Sequence, residues 1–131
     1  MTTLDIGCGM GFFSIPLAHL VGANGKVICV DIQEKMLKGL EKRAQKAGVS
    51  TRIETRLCYQ HTIGLQDLAE KIDFALAFAV VHEVPDPTRF FTELCATIVP
   101  FGSVLLAEPK GHVSEEEFTI TLSMAQQQGF K

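Results

Sequence analysis

The feature that most constrains this chain is its alternation of short apolar segments with longer segments of helical periodicity, kept up along its length. Thr2 to Ile6 is apolar and runs into glycines, which reads as a first strand. Phe12 to Val21 reads as a helix. Pro16 sets its start near Phe12 or Phe13, because proline is tolerated only in a first helical turn. Asn24-Gly25 marks a turn, and Lys26 to Asp31, rich in β-branched residues, reads as the second strand. In Gln33 to Ala47, the residues Met36, Leu37, Leu40, Ala44 and Ala47 fall at helical spacing, with Gly48 as the stop. Thr51 to Leu57 is a more polar strand, as an edge position allows. Ile72 to Phe78 is apolar apart from Asp73, as suits a strand covered on both faces. Phe90, Phe91, Leu94 and Ile98 predict a helix closed by Pro100, and Gly102 to Ala107 a fifth strand. Ser114 and Glu117 form a capping box for a helix carrying Phe118, Leu122 and Ala125, ended by Gly129. Phe130 and Lys131 read as the opening of one more strand.

Strands that alternate with helices form a parallel sheet covered on both faces, and right-handed crossovers make that arrangement doubly wound. The chain is therefore expected to be an α/β protein with a single domain over residues 1–131. Ligands of such sheets bind beyond the carboxyl ends of the strands, where strand order reverses. The loops after the first four strands are the places where chemistry is expected.

Charge and composition exclude several functions. The net charge is −3. Lys35, Lys38, Lys42, Arg43 and Lys46 cluster, but Glu34 and Glu41 stand among them in a predicted helix, which reads as a solvated face and not as a nucleic-acid surface. The longest apolar run, Phe74 to Val81, falls far short of the ~20 residues of a membrane helix. Cys8, Cys29, Cys58 and Cys95 lack Cys-x-x-Cys spacing, so no zinc site is expected, and His19, His61 and His112 have no partners at metal-ligand spacing. Cysteines in apolar segments act as small buried hydrophobes, which suits a reducing compartment. With no signal peptide in evidence at the opening strand, a cytoplasmic protein is expected.

The chemistry concentrates in LDIGCGMG, Leu4 to Gly11, where Gly7, Gly9 and Gly11 alternate between a strand and a helix. Glycine lets a ligand approach the backbone closely. A dinucleotide fingerprint needs a glycine where this chain has Phe12. Asp5, just before the loop, would repel a pyrophosphate and attract a cation. Asp31 ends the second strand 20 residues after Gly11. Its carboxylate can accept both hydroxyls of a ribose, or cap the helix that starts at Gln33.

Asp5 to Gly11 resembles the signature motif of the class I S-adenosylmethionine-dependent methyltransferases. CVDIQEKML, Cys29 to Leu37, is similar to their second motif. Ile72 to Leu94 and Pro100 to Pro109 resemble their fourth- and fifth-strand regions, in family order. The resemblance implies a Rossmann-like, mostly parallel sheet of strand order 3-2-1-4-5 in three α/β/α layers. It also implies S-adenosylmethionine as cofactor, S-adenosylhomocysteine as product, and a small-molecule methyl acceptor. Asp5, Ile6, Gly7, Cys8, Gly9, Gly11 and Phe12 would then surround the methionyl part, with Asp5 near its ammonium group. Asp31 would bind the ribose, and Ile32 and Met36 would pack on adenine. The backbone near Ala77 and Phe78 would border the methionyl amine. Many members carry an Asp after strand three; this chain has Cys58-Tyr59-Gln60, so Tyr59 or Gln60 is expected to supply the polar contact.

Methyl transfer is an in-line displacement that needs orientation and a dry site, and a base only when the acceptor must lose a proton. His82, with Glu83 beside it, stands just past the fourth strand as the candidate base; a polar residue at a helix start is the plainer reading. The family sheet has seven strands, the last two flanking the fifth. They are expected to be missing here, so that the chain is a C-terminally truncated core or pairs as a homodimer through the Ser103 to Ala107 edge. Two other functions fit less of the pattern. One is a non-catalytic, methyltransferase-like binding module; the other is an NAD-binding oxidoreductase domain, which Phe12 and Asp5 weaken.

Overall fold

The computed structural model describes residues 1–59, 64–78 and 86–107. The helix predicted from Ser114 and the strand predicted at Phe130 lie outside these residues, as do Gln60, His61, His82, Glu83 and His112.

Five strands, β1 (Thr2–Ile6), β2 (Lys26–Asp31), β3 (Ile53–Leu57), β4 (Ile72–Phe78) and β5 (Ile98–Ala107), form one sheet in the order β3-β2-β1-β4-β5. Every pairing is parallel. Helices α1 (Ser14–Val21), α2 (Glu34–Ala47) and α3 (Pro87–Thr97) connect them, with short 3-10 turns at Ser50–Arg52 and Gln66–Leu68. The doubly wound α/β sheet and its strand order are as expected, and the polar β3 does lie at an edge.

Side chains alternate across a strand, so each strand feeds two cores. Leu4, Ile6, Ile28, Val30, Ala75 and Ala77 share one core with Phe90, Phe91 and Leu94 of α3 and with Leu65 and Leu68. Val27 and Cys29 point the other way, into a core with Ala18 of α1, Leu37, Leu40 and Ala44 of α2, Val49, and Cys8. Both cores end at the carboxyl edge of β1 and β2, where the glycine loop leaves the sheet.

Element boundaries differ from expectation in three places, each for a local reason. Helix α1 starts at Ser14, not Phe12, leaving Phe12 80% exposed in the preceding turn. Strand β3 starts at Ile53, not Thr51. The 3-10 turn before it lets Arg52 donate to the Ala18 carbonyl at 3.1 Å, and so satisfies a carbonyl that the end of α1 leaves without a helical partner. Ile98 belongs to β5, where it pairs with Ile72, and not to α3, although its spacing from Leu94 is helical. The helix closes one residue earlier, where the Thr97 hydroxyl donates to the Leu94 carbonyl at 2.7 Å. Pro100 then sits inside β5, at the register shift between Ile72 and Phe74, the kind of irregularity to which proline in a strand is confined.

An ion-pair network ties the polar edge strand to the chain beyond it. Arg56 donates from Nε to Glu54 at 2.6 Å and, in a two-pronged contact, to both Asp67 oxygens at 2.8 Å. Glu54 also meets Lys26 at 2.8 Å. The guanidinium holds Asp67 down at about 2, and the two cations hold Glu54 below the usual carboxylate range. Arg56→Ala is expected to lower stability in chemical denaturation by more than Lys38→Ala does, because its contact with Asp67, although exposed, is bidentate and continues to Glu54. Lys38→Ala, which removes only an exposed helical contact with Glu34 at 3.6 Å, is expected to change stability by no more than about 0.5 kcal/mol.

Candidate cofactor site

The glycine loop leaves β1 by folding over the end of β2. The amides of Gly7 and Cys8 both donate to the Val30 carbonyl, at 2.8 and 3.1 Å. Gly7, Gly9 and Gly11 all have positive φ, 74°, 57° and 97°, so a chain of side-chain-bearing residues would be strained along this path. A Cβ built on Gly9 would meet nothing within 4 Å, which leaves an open cradle above the backbone. A Cβ on Gly11 would lie 2.4 Å from Leu40 Cδ1, so the loop presses directly on α2.

Asp31 joins the parts. Its Oδ2 accepts the Gly9 amide at 2.9 Å, and its Oδ1 accepts the Gln33 amide at 2.8 Å. The helix cap itself is Gln33, with no side-chain cap bond; Asp31 instead uses one oxygen to turn the chain into α2 and the other to pin the glycine loop. An ionised carboxylate has about four acceptor directions. Two are taken, and two remain for a diol.

Asp5 is 2% exposed at the end of β1, and the Ser14 hydroxyl donates to its Oδ2 at 2.6 Å. Burial pushes its carboxyl up to about 6; the Ser14 hydrogen bond works against this, and the negative charge of Asp31 adds to it. Ser14 escaped the sequence reading. Its only signal is a lone hydroxyl among the apolar residues that open α1. Two acids at neighbouring strand ends, one of them buried and, among the described residues, paired with a hydroxyl, give the site a preference for a cation.

The remaining expected residues sort by side chain. Ile6 and Ala77 are buried in the α3-side core, so only their backbones border the loop. Cys8 lies in the other core; a hydrogen bond with Cys29, together with burial, pushes its thiol well above the usual range. Phe12 stands out from the protein, edge-to-face with Phe13 at 4.9 Å. Ile32 is 45% exposed beside Asp31, Met36 is half-buried on α2, and Tyr59 is exposed after β3. Phe78 ends β4, paired with Ala107. Gln60 and the candidate base His82 lie outside the described residues. Among the described residues no group of His, Cys, Asp and Glu is arranged to hold a metal, and no helix is long and apolar enough to cross a membrane.

A doubly wound sheet with a glycine loop and two strand-end acids at its topological switch defines a nucleotide-type binding protein. The chain belongs to the methyltransferase domain family, whose model matches residues 1–130. It is 36% identical over 104 residues to the mitochondrial ubiquinone biosynthesis O-methyltransferase of Arabidopsis thaliana, covering 79% of this chain and 31% of that protein. A crystal structure of a SAM-dependent methyltransferase from Aquifex aeolicus superimposes with a TM-score of 0.82 at 27% identity, over 98% of this chain and 71% of that one. The [4+2]-cyclase SpnF shares the fold, with a TM-score of 0.81 at 17% identity, over 98% of this chain and 51% of that one. The chain spans between 23% and 44% of the length of the curated relatives it matches.

Burial of Asp5 leads to a stability prediction with a definite sign. The folded chain takes up a proton more readily than the unfolded chain between about pH 4 and 6, so this residue's contribution to stability falls as pH rises through that window. Asp5→Asn keeps an acceptor for Ser14 and removes the buried charge. It is expected to stabilise the ligand-free protein at pH 7.5 by up to about 3 kcal/mol, with the gain vanishing near pH 4, in melts across that range.

Proposed function

We propose that the protein is an S-adenosylmethionine-dependent methyltransferase that transfers a methyl group to a small-molecule acceptor. The observation that carries this reading is the double acceptance at Asp31, which leaves two acceptor directions facing the open Gly9 cradle. The family membership and the relatives named as O-methyltransferases support it. The cofactor, when bound, supplies an electrophilic methyl group on a sulfonium. The protein's part is to hold and orient. Asp31 takes the ribose diol, Ile32 and Met36 flank adenine with Tyr59 or Gln60 at its edge, and the Gly7–Gly11 backbone with Phe12 receives the methionyl chain. Asp5 meets the ammonium group, with the backbone of Ala77 and Phe78 bordering it. His82 is the proposed base for an acceptor that must lose a proton.

A bound ammonium favours the ionised form of Asp5, so the protein loses a proton on binding wherever Asp5 is protonated beforehand. Affinity for S-adenosylhomocysteine is therefore expected to be constant above about pH 7 and to weaken as pH falls through about 6, a dependence that Asp5→Asn removes. Calorimetric titration with S-adenosylhomocysteine, with NADH as control, tests the reading. Saturable binding is expected, weakened at least roughly tenfold by Asp31→Ala. Binding of NADH alone would assign the loop to a dinucleotide.

A second reading has one observation behind it. SpnF, a cyclase by name, has this fold, so the fold does not by itself entail methyl transfer. Cofactor binding without turnover on any acceptor would favour a non-catalytic module. Among the described residues no strand pairs with the outer edge of β5, and Leu105 on it is 52% exposed. Homodimerisation through Ser103 to Ala107 is the accompanying proposal, and a concentration-independent monomer in sedimentation would refute it. The buried free thiols Cys8 and Cys29 support a reducing, cytoplasmic setting.

A further inference from the structure

Gly39 lies in the interior of α2, where glycine weakens a helix relative to alanine. What occupies the missing side chain's place is Met10, from the glycine loop. A Cβ on Gly39 would lie 2.9 Å from the Met10 sulfur and 3.1 Å from its Cγ. One residue on, the fully buried Leu40 fills the space that a Cβ on Gly11 would need. The two segments therefore interlock in both directions. Met10, 48% exposed, lays its thioether on the bare backbone of the helix, and the buried Leu40 seats its methyl on the bare backbone of the loop. Asp31 closes the same unit from the other side, since it holds both the Gly9 amide and the entry to α2.

We infer that Gly39 is a positioning residue for the cofactor. Its side-chain-free niche seats Met10 and so sets how far the Gly9–Gly11 backbone stands off α2, and with it the depth of the cradle beside Asp31. The inference rests on the reading of the loop as the S-adenosylmethionine site. Gly39 touches neither cofactor nor acceptor; it acts through Met10. A glycine that were merely tolerated in α2 would behave differently, because Gly39→Ala would then raise stability and leave binding unchanged.

The test compares S-adenosylhomocysteine affinity and melting temperature for the wild type, Gly39→Ala, Met10→Ala and the double variant. Gly39→Ala is expected to bind roughly tenfold more weakly while melting no lower than wild type. Met10→Ala, which empties the niche without forcing the loop outward, is expected to weaken binding less than Gly39→Ala does, and the double variant, which removes the clash, to bind as well as Met10→Ala. Wild-type affinity in Gly39→Ala, or a double variant that binds no better than Gly39→Ala, overturns the inference and leaves the cofactor reading intact. A wild type that binds no S-adenosylhomocysteine overturns both. If Gly39→Ala melts well below wild type, the double variant decides: recovery of folding and binding together supports the role, and recovery of folding alone overturns it.

Discussion

The Asp31 carboxylate accepts one amide from the glycine loop and one from the start of α2, at 2.9 and 2.8 Å, and most of the site's geometry follows from those two bonds. The strand fixes where the carboxylate stands. The carboxylate fixes where the loop crosses the sheet and where the helix begins. Hydrogen bonds to an ionised acceptor are roughly twice as strong as neutral ones, so this junction resists the thermal motion expected of a glycine-rich turn. A loop held in place before the ligand arrives costs less ordering when it does.

Stability and function pull apart at Asp5. A carboxylate 2% exposed, with the Ser14 hydroxyl as its partner among the described residues, is unfavourable in the ligand-free fold, and burial pushes it up to about 6. The proposed cationic ligand would offset this cost on binding. Gly39 shows the same pattern at smaller scale, a helix interior weakened so that a loop can rest on it. Both positions break a local rule for buried charge or helix composition, and both adjoin the site.

Much of the architecture was legible in the sequence because β–α alternation with a largely apolar fourth strand permits few arrangements. Parallel pairing and the edge position of β3 follow from that pattern, and the strand order from the family resemblance. The errors fell at boundaries. Leu94 and Ile98 sit at helical spacing, yet Ile98 pairs with Ile72, because tertiary pairing outweighs local periodicity at an element's end. In the site, Gly7, Gly9, Gly11 and Asp31 were readable because positive φ and strand-end acidity leave marks in residue type. Ser14, Arg52 and Gly39 were not. Each acts on a partner distant along the chain, Asp5, Ala18 and Met10 respectively, and no periodicity announces such a contact. Ile6, Cys8 and Ala77 show the converse: motif positions whose side chains fill the cores while their backbones face the site.

Amide hydrogen exchange, read by NMR in the absence of any cofactor, tests most directly whether Asp31 assembles the site in advance. The Gly9 and Gln33 amides are expected to exchange slowly in the wild type. In Asp31→Ala both are expected to exchange fast, while the Gly7 and Cys8 amides, bonded to the Val30 carbonyl, stay protected. A Gly9 amide that exchanges at the free-peptide rate in the wild type, or that keeps its protection in Asp31→Ala, would contradict the account.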